Sequence, residues 1–258
     1  MYANAYETPA DPLPDPRMPD TPATAEAAPK AEDGRHRVRV LGKRRLNHNV
    51  IAWTVARPEG YAFRAGEACR LAVDADGWRD QDRPFTMSSL PDAPTLEWVI
   101  KHYPDHHGMT ERMQACEVGD DLLMGEPGGY FHDRGPGVFL AGGAGVTPFL
   151  AILRDLRRSG GTAGYRLLFS NSTAADVFLK DELDELLGQD TLYQVTNEDA
   201  AFADRRRIDK AYLAEKIGHF DQFFYVCGPP GFSEDLRPTL IDLGTPQEKI
   251  IDKTLKSK

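Results

Sequence analysis

Between Arg35 and about Met124, apolar residues recur with period two in short runs. These are Val38-Arg39-Val40-Leu41, Val50 to Val55, Arg70-Leu71-Ala72-Val73, Phe85 to Leu90 and Leu96 to Ile100. Such alternation puts successive side chains on opposite faces and predicts half-buried strands. Turn-forming clusters separate the runs, among them Arg57-Pro58-Glu59-Gly60, Asp74-Ala75-Asp76-Gly77 and Pro91-Asp92-Ala93-Pro94. Their spacing is that of an antiparallel sandwich or small barrel, interrupted by one short helix near Met109–Ala115.

After Gly128-Gly129 the rhythm changes. Val138-Phe139-Leu140-Ala141 is apolar without alternation, as in a strand covered on both faces, and a glycine loop and a helix from Pro148 to about Arg158 follow it. Strand and helix then take turns: strands at Arg166–Phe169, Leu192–Val195 and Phe223–Val226, helices around 179–187, 210–217 and 232–243. That order predicts a parallel sheet with helices on both faces. The fold class expected is therefore a β-barrel (35–130) followed by an α/β domain (136–258).

Residues 1–34 stand apart. Seven prolines among many alanines offer little to bury, so this stretch is expected to be a disordered tail. It also carries most of the charge. Of the net −9 over 258 residues, the first 33 hold −5, leaving −4 for the other 225. An acidic balance argues against nucleic acid as a partner. The three cysteines, Cys69, Cys116 and Cys227, lie far apart, too few for a four-cysteine iron–sulfur or zinc site within these residues. They fit a reducing compartment, and with no basic–apolar leader at the N-terminus the expected location is cytoplasmic. Val138–Leu153 is the longest uncharged apolar stretch, shorter than the roughly 20 residues of a membrane span and broken by glycine and proline, so no membrane partner is expected.

Three segments carry candidate chemistry. The loop Gly142-Gly143-Ala144-Gly145-Val146-Thr147-Pro148 joins a buried strand to a helix, where glycines admit a phosphate close to the backbone and the helix start favours negative charge. Cys227-Gly228-Pro229-Pro230 follows the last long strand and should share the same sheet edge. In the barrel, Arg83-Pro84-Phe85-Thr86-Met87-Ser88-Ser89 offers an arginine for a phosphate, a ring for stacking and hydroxyls for hydrogen bonds. Alternation would turn Arg83, Phe85 and Met87 to one side.

Together these segments resemble the ferredoxin–NADP(+) reductase superfamily, in particular its compact bacterial flavodoxin-reductase-like members, over about residues 35–255. The barrel motif R-x-Y-[ST]-x-x-S is matched by Arg83, Phe85, Thr86 and Ser89, with Phe85 in place of the usual Tyr. The resemblance implies that Arg83 meets a flavin phosphate, that Phe85 lies against the isoalloxazine, and that Thr86 bonds near its N5. It implies a second flavin segment at Val99 and Lys101, with Gly108, Met109 and Thr110 at the start of a short helix by the pyrophosphate. Gly143, Gly145, Val146, Thr147 and Pro148 would bind the nicotinamide nucleotide, and Cys227 would lie beside the nicotinamide, with Gly228, Pro229 and Pro230 next to it. Thr86 and Cys227 are thus the candidate catalytic residues. No metal site is expected, since His106 and His107, adjacent in a loop, do not converge on one ion.

The function implied is a flavin-dependent NAD(P)H oxidoreductase. It would hold FAD, with FMN left open, and pass electrons to a separate ferredoxin, flavodoxin or other iron–sulfur protein. Two alternatives stand beside it: a reductase of free flavin or ferric chelates, and a non-catalytic redox subunit. Phe169-Ser170-Asn171-Ser172-Thr173, after the domain's second strand, has no cation to meet a 2′-phosphate, which favours NADH over NADPH. Arg205-Arg206-Arg207 would have to fold in to change that.

Overall fold

The computed structural model describes residues 31, 33–103, 106–129 and 131–252. Nearly all of the expected tail lies outside the described residues. The barrel is built from β1 (His36–Arg45), β2 (Val50–Ala56), β3 (Ala68–Val73), β4 (Arg83–Thr86), β5 (Thr95–Lys101), helix α1 (Met109–Gln114) and β6 (Asp121–Met124). The strands form one antiparallel sheet in the order β4-β3-β6-β1-β2-β5. Its two edges meet where the Ser88 amide donates to the Glu97 carbonyl at 2.7 Å.

Strands β2 and β5 show why a plain alternation rule understates burial. In β2, Ile51, Trp53 and Val55 point into the barrel beside Trp98 and Ile100 of β5, and Trp53 lies opposite Trp98 in the pairing. The intervening Val50 and Ala52, with Val99, are buried too, in a core shared with Phe139, Val146, Phe149 and Leu150 of the second domain. One face of the strands thus fills the barrel while the other is the domain interface.

The second domain holds β7 (Gly137–Gly142), α2 (Thr147–Ser159), β8 (Arg166–Asn171), α3 (Lys180–Leu187), β9 (Thr191–Val195), α4 (Lys210–Lys216), β10 (Phe223–Cys227), α5 (Phe232–Asp242) and β11 (Ile250–Ile251). All strand pairs are parallel, in the order β11-β10-β7-β8-β9. Strands β7 and β10 are therefore neighbours in the middle of the sheet, and the loops leaving their carboxyl ends lie side by side.

One strand expectation needs correction. The run from Phe85 to Leu90 is not a continuous strand, because β4 ends at Thr86. The Met87 amide donates to the Glu67 carbonyl and that of Ser88 to Glu97, which draws both side chains fully inside. Arg83 stays exposed and Met87 is in the core, so the two do not share a side. Strands β6 and β11 add to those expected from the sequence pattern.

Candidate active site between the two domains

A cleft of about 830 Å³ runs along the domain boundary, within the size range of cofactor sites. Its barrel wall is made by Pro84, Phe85 and Thr86 of β4, Val99 and Lys101 of β5, and Thr110 of α1. Its other wall is made by Gly143, Gly145, Thr147 and Pro148 after β7 and by Cys227 to Pro230 after β10. Segments distant in sequence thus face one space. Five other candidates do not line it. Arg83 is exposed, its guanidinium donating to the Asp82 carbonyl at 2.8 Å. Ser89 accepts from the Glu97 amide. Gly108 caps α1 in extended backbone, Met109 is buried in the barrel core, and Val146 is buried beneath the glycine loop.

The glycine loop winds into a short 3-10 turn that runs straight into α2. Thr147 Oγ1 donates back to the Ala144 carbonyl at 3.0 Å, and the first turn of α2 carries no acidic residue. The positive end of a 13-residue helix therefore faces the cleft with no carboxylate on its own first turn. Across the cleft, α1 is held from inside the barrel. The Thr110 carbonyl can only accept, so His102 Nδ1 carries a proton and donates to it at 2.6 Å, while Nε2 accepts from Trp53 Nε1 at 3.2 Å. Burial, with Lys43 and Arg45 nearby, lowers the pKa of His102 although the Thr110 bond opposes this. Cys69, also on the wall, is a buried thiol pushed up to about 12 by burial.

The walls fit a flat ring system and a dinucleotide. Phe85 is half-buried and presents a ring to the cleft, with Val99 near it. At the end of β8, Asn171 lines the cleft and is 6% exposed, yet neither its amide nitrogen nor its amide oxygen has a partner. A buried amide left unpaired costs about 1–3 kcal/mol, which a polar ligand group at this spot would relieve. In the sequence Asn171 is one polar residue of Phe169–Thr173, and nothing around it signals burial. Ser170, Ser172 and Thr196 lie on the same stretch of wall; among the described residues the Lys and Arg side chains lining the cleft are Lys101, 3.6 Å from Asp176, and Arg70, which pairs with Asp82 at 2.6 Å. Arg206 is taken up by Asp204 and Glu215, and Arg205 faces Asp199. Among the described residues no three His, Cys, Asp or Glu side chains are arranged to hold a metal, and no helix is long and apolar enough to cross a membrane.

A barrel followed by a parallel-sheet domain, with a cleft between them, is a two-domain fold shared with solved proteins. Residues 139–237 match the family model of the oxidoreductase NAD-binding domain. The chain is 26% identical to the reductase component of propane 2-monooxygenase from Rhodococcus jostii over 231 residues, covering 83% of this chain and 62% of that relative. It is 27% identical to NADH-cytochrome b5 reductase 1 of Coccidioides immitis, covering 81% and 74%. The fold matches a ferredoxin NADP+ reductase from Neisseria gonorrhoeae, solved with bound FAD and NADP, with a TM-score of 0.73 at 23% identity, over 83% of this chain and 96% of that one. The family model thus identifies residues 139–237 as an oxidoreductase NAD-binding domain, and over the rest of the chain the fold and the motif order are similar to those of ferredoxin–NADP(+) reductase-like proteins. The chain spans about three fifths of the length of the propane monooxygenase relative.

Proposed function

We propose that this chain holds FAD against the barrel wall and takes electrons from a nicotinamide coenzyme bound at the opposite wall, for delivery to a separate redox protein. The observation that carries this is the convergence of the β4 segment, the glycine loop and the Cys227–Pro230 loop on one interdomain cleft. When bound, a flavin supplies the ability to accept an electron pair from the reduced coenzyme and release electrons singly.

The chain's own part is to bind and orient. Phe85 gives the flavin a face to lie on, and the Thr86 hydroxyl a hydrogen bond near its N5. Arg83, exposed next to the cleft, is within the segment that would meet a flavin phosphate, and Thr110 stands at the other end of that wall. Gly143 and Gly145 leave room for the coenzyme's phosphates over the start of α2. Cys227 and the two prolines after it shape the nicotinamide end. No acid–base pair is required, since no proton has to be moved by the protein in this exchange.

NADH is the preferred coenzyme in this reading, because the cleft wall at Ser170–Ser172 has hydroxyls and an amide but no free cation for a 2′-phosphate. A protein acceptor is favoured over free flavin or ferric chelates because relatives such as the propane monooxygenase protein are named as reductase components. The purified protein should be yellow or be reconstituted by FAD, and should bleach anaerobically with NADH faster than with NADPH. A colourless protein that takes up neither FAD nor FMN overturns the proposal. Steady-state assays with a ferredoxin against ferric chelate separate the two acceptor classes.

A further inference from the structure

Arg154 lies about two turns beyond the start of α2, in a helix that carries the glycine loop at its front. Its guanidinium is shared between the two domains. Nε and Nη2 donate to the two oxygens of Glu182 on α3, at 2.7 and 3.0 Å, within the α/β domain. Nη1 crosses to the barrel and donates to the Ser88 carbonyl and to Glu97 Oε1, both at 2.7 Å. The Ser88 hydroxyl donates to that same Glu97 oxygen at 2.8 Å. The side chains of Arg154, Glu97 and Glu182 are only 16%, 21% and 8% exposed.

Two features separate this cluster from an ordinary stabilising contact. First, one guanidinium serves two carboxylates, and buried ion clusters of this kind are often matched or exceeded in stability by apolar packing. What they do provide is direction, since a planar fork with several fixed donors accepts partners only along set lines. Second, the partners are at informative places. Ser88 stands two residues past Thr86, so the fork grips the end of the segment that carries Phe85 and Thr86. Arg154 itself sits on the helix that grows out of the glycine loop. The other interdomain ion pairs are more exposed or longer: Arg158 with Asp92 lies on the surface, and Lys101 and His48 are each 3.6 Å from Asp176.

We propose that Arg154 is a positioning residue that fixes the angle between the barrel and the α/β domain, and with it the distance between the flavin and nicotinamide walls of the cleft. The consequence for turnover rests on the function proposed above, while the consequence for domain geometry does not.

The test uses two readouts on the full chain. Spin labels are placed at Val118→Cys in the barrel and Ile241→Cys in α5, both exposed sites, and the native cysteines are all buried. The parent should give one narrow distance distribution. Arg154→Met, which removes both donations across the boundary, should broaden it, and Glu97→Gln, which takes the charge from one of the two acceptors there while the Ser88 carbonyl remains, should broaden it less, whereas Glu182→Gln, which weakens the tie within one domain, should leave it narrow. In stopped flow with FAD-loaded protein, Arg154→Met and Glu97→Gln should slow flavin reduction at saturating NADH at least tenfold while the NADH Kd changes less than threefold. Arg154→Lys should recover part of the rate. An unchanged distance distribution in Arg154→Met overturns the proposal, and where Arg154→Met fails to fold, an unchanged distribution in Arg154→Gln does so. A parent that takes no flavin or is not reduced by NADH rejects the functional reading, and the distance measurement still decides the role of Arg154.

Discussion

Gly145 packs its Cα against the carbonyl of Cys227: a β-carbon there would lie 2.2 Å from that oxygen and 2.7 Å from the Gly228 nitrogen. The contact interlocks the two loops that leave β7 and β10, whose ends are paired at Ala141 and Cys227. Neither loop can move independently. Gly145→Ala is expected to push them apart, at about 1–3 kcal/mol of overpacking, and to weaken NADH binding at least tenfold while flavin binding on the barrel is kept. Gly143 differs: its φ is +51° with open space around the missing side chain, so Gly143→Ala carries only the left-handed backbone cost of roughly 1–2 kcal/mol. Coenzyme titrations of both variants check the contrast.

Phe85 lines the barrel wall of the cleft, the wall on which the function proposed above lays a flavin. Phe85→Ala removes that face and part of the cover over the barrel core, against which the ring also packs. Loss of an aromatic contact and its buried area is worth roughly 1–3 kcal/mol. The FAD Kd is expected to rise tenfold or more, with Phe85→Tyr binding at least as tightly as the parent. Flavin retention on gel filtration and fluorescence titration report it.

Much of this arrangement was legible in the sequence. The period-two runs marked β1, β2, β3 and β5, the continuous apolar runs marked the parallel strands, and the glycine and proline motifs marked both loops at the sheet edge. The rest depends on contacts between distant residues. Leu122-Leu123-Met124 of β6 is covered on both sides and shows no alternation, and the two residues of β11 are too short to signal. Arg154 reads as one more polar residue on α2, beside Arg157 and Arg158, because its partners lie 28, 57 and 66 residues away. Asn171 is polar at a strand end, where exposure is the ordinary outcome, and its burial follows only from the cleft.

His102 joins the barrel core to α1 as a neutral ring, with Nε2 already accepting from Trp53. A second proton there would face the Trp53 N–H, with Lys43 and Arg45 adding to the repulsion, so the folded chain resists protonation. The unfolded chain takes up a proton near the ordinary value of 6.5. The native state therefore binds fewer protons, and stability present above that pH is lost as pH falls below it, by at most about 1.4 kcal/mol per pH unit from this group. His132, whose pKa is lowered by burial and by Arg64, acts in the same direction. His102→Gln can keep both hydrogen bonds without titrating. Its Tm should fall less than the parent's between pH 7 and 5.5, and parallel curves would reject this role for His102.

The wall at Ser170–Ser172 gives the sharpest handle on coenzyme choice. Ser172 is exposed at the lip of the cleft, and its carbonyl is held by the Asn197 amide, so its backbone is anchored while its side chain is open to change. Asp176 lines the same wall, its carboxyl kept below the usual range, against the pull of burial, by hydrogen bonds from Thr173 and by Lys101. A 2′-phosphate would therefore meet a carboxylate and no unpaired cation. Ser172→Arg supplies a guanidinium, and a charge-assisted bond to phosphate is worth about 1.5–3 kcal/mol. The ratio of kcat/KM for NADPH over NADH should rise at least tenfold. Because the new pair is exposed, the gain should shrink in high salt, and Ser172→Gln, a polar but uncharged side chain, should leave the ratio where it was. If the glutamine variant shifts the ratio as far as the arginine does, shape and not charge sets the preference.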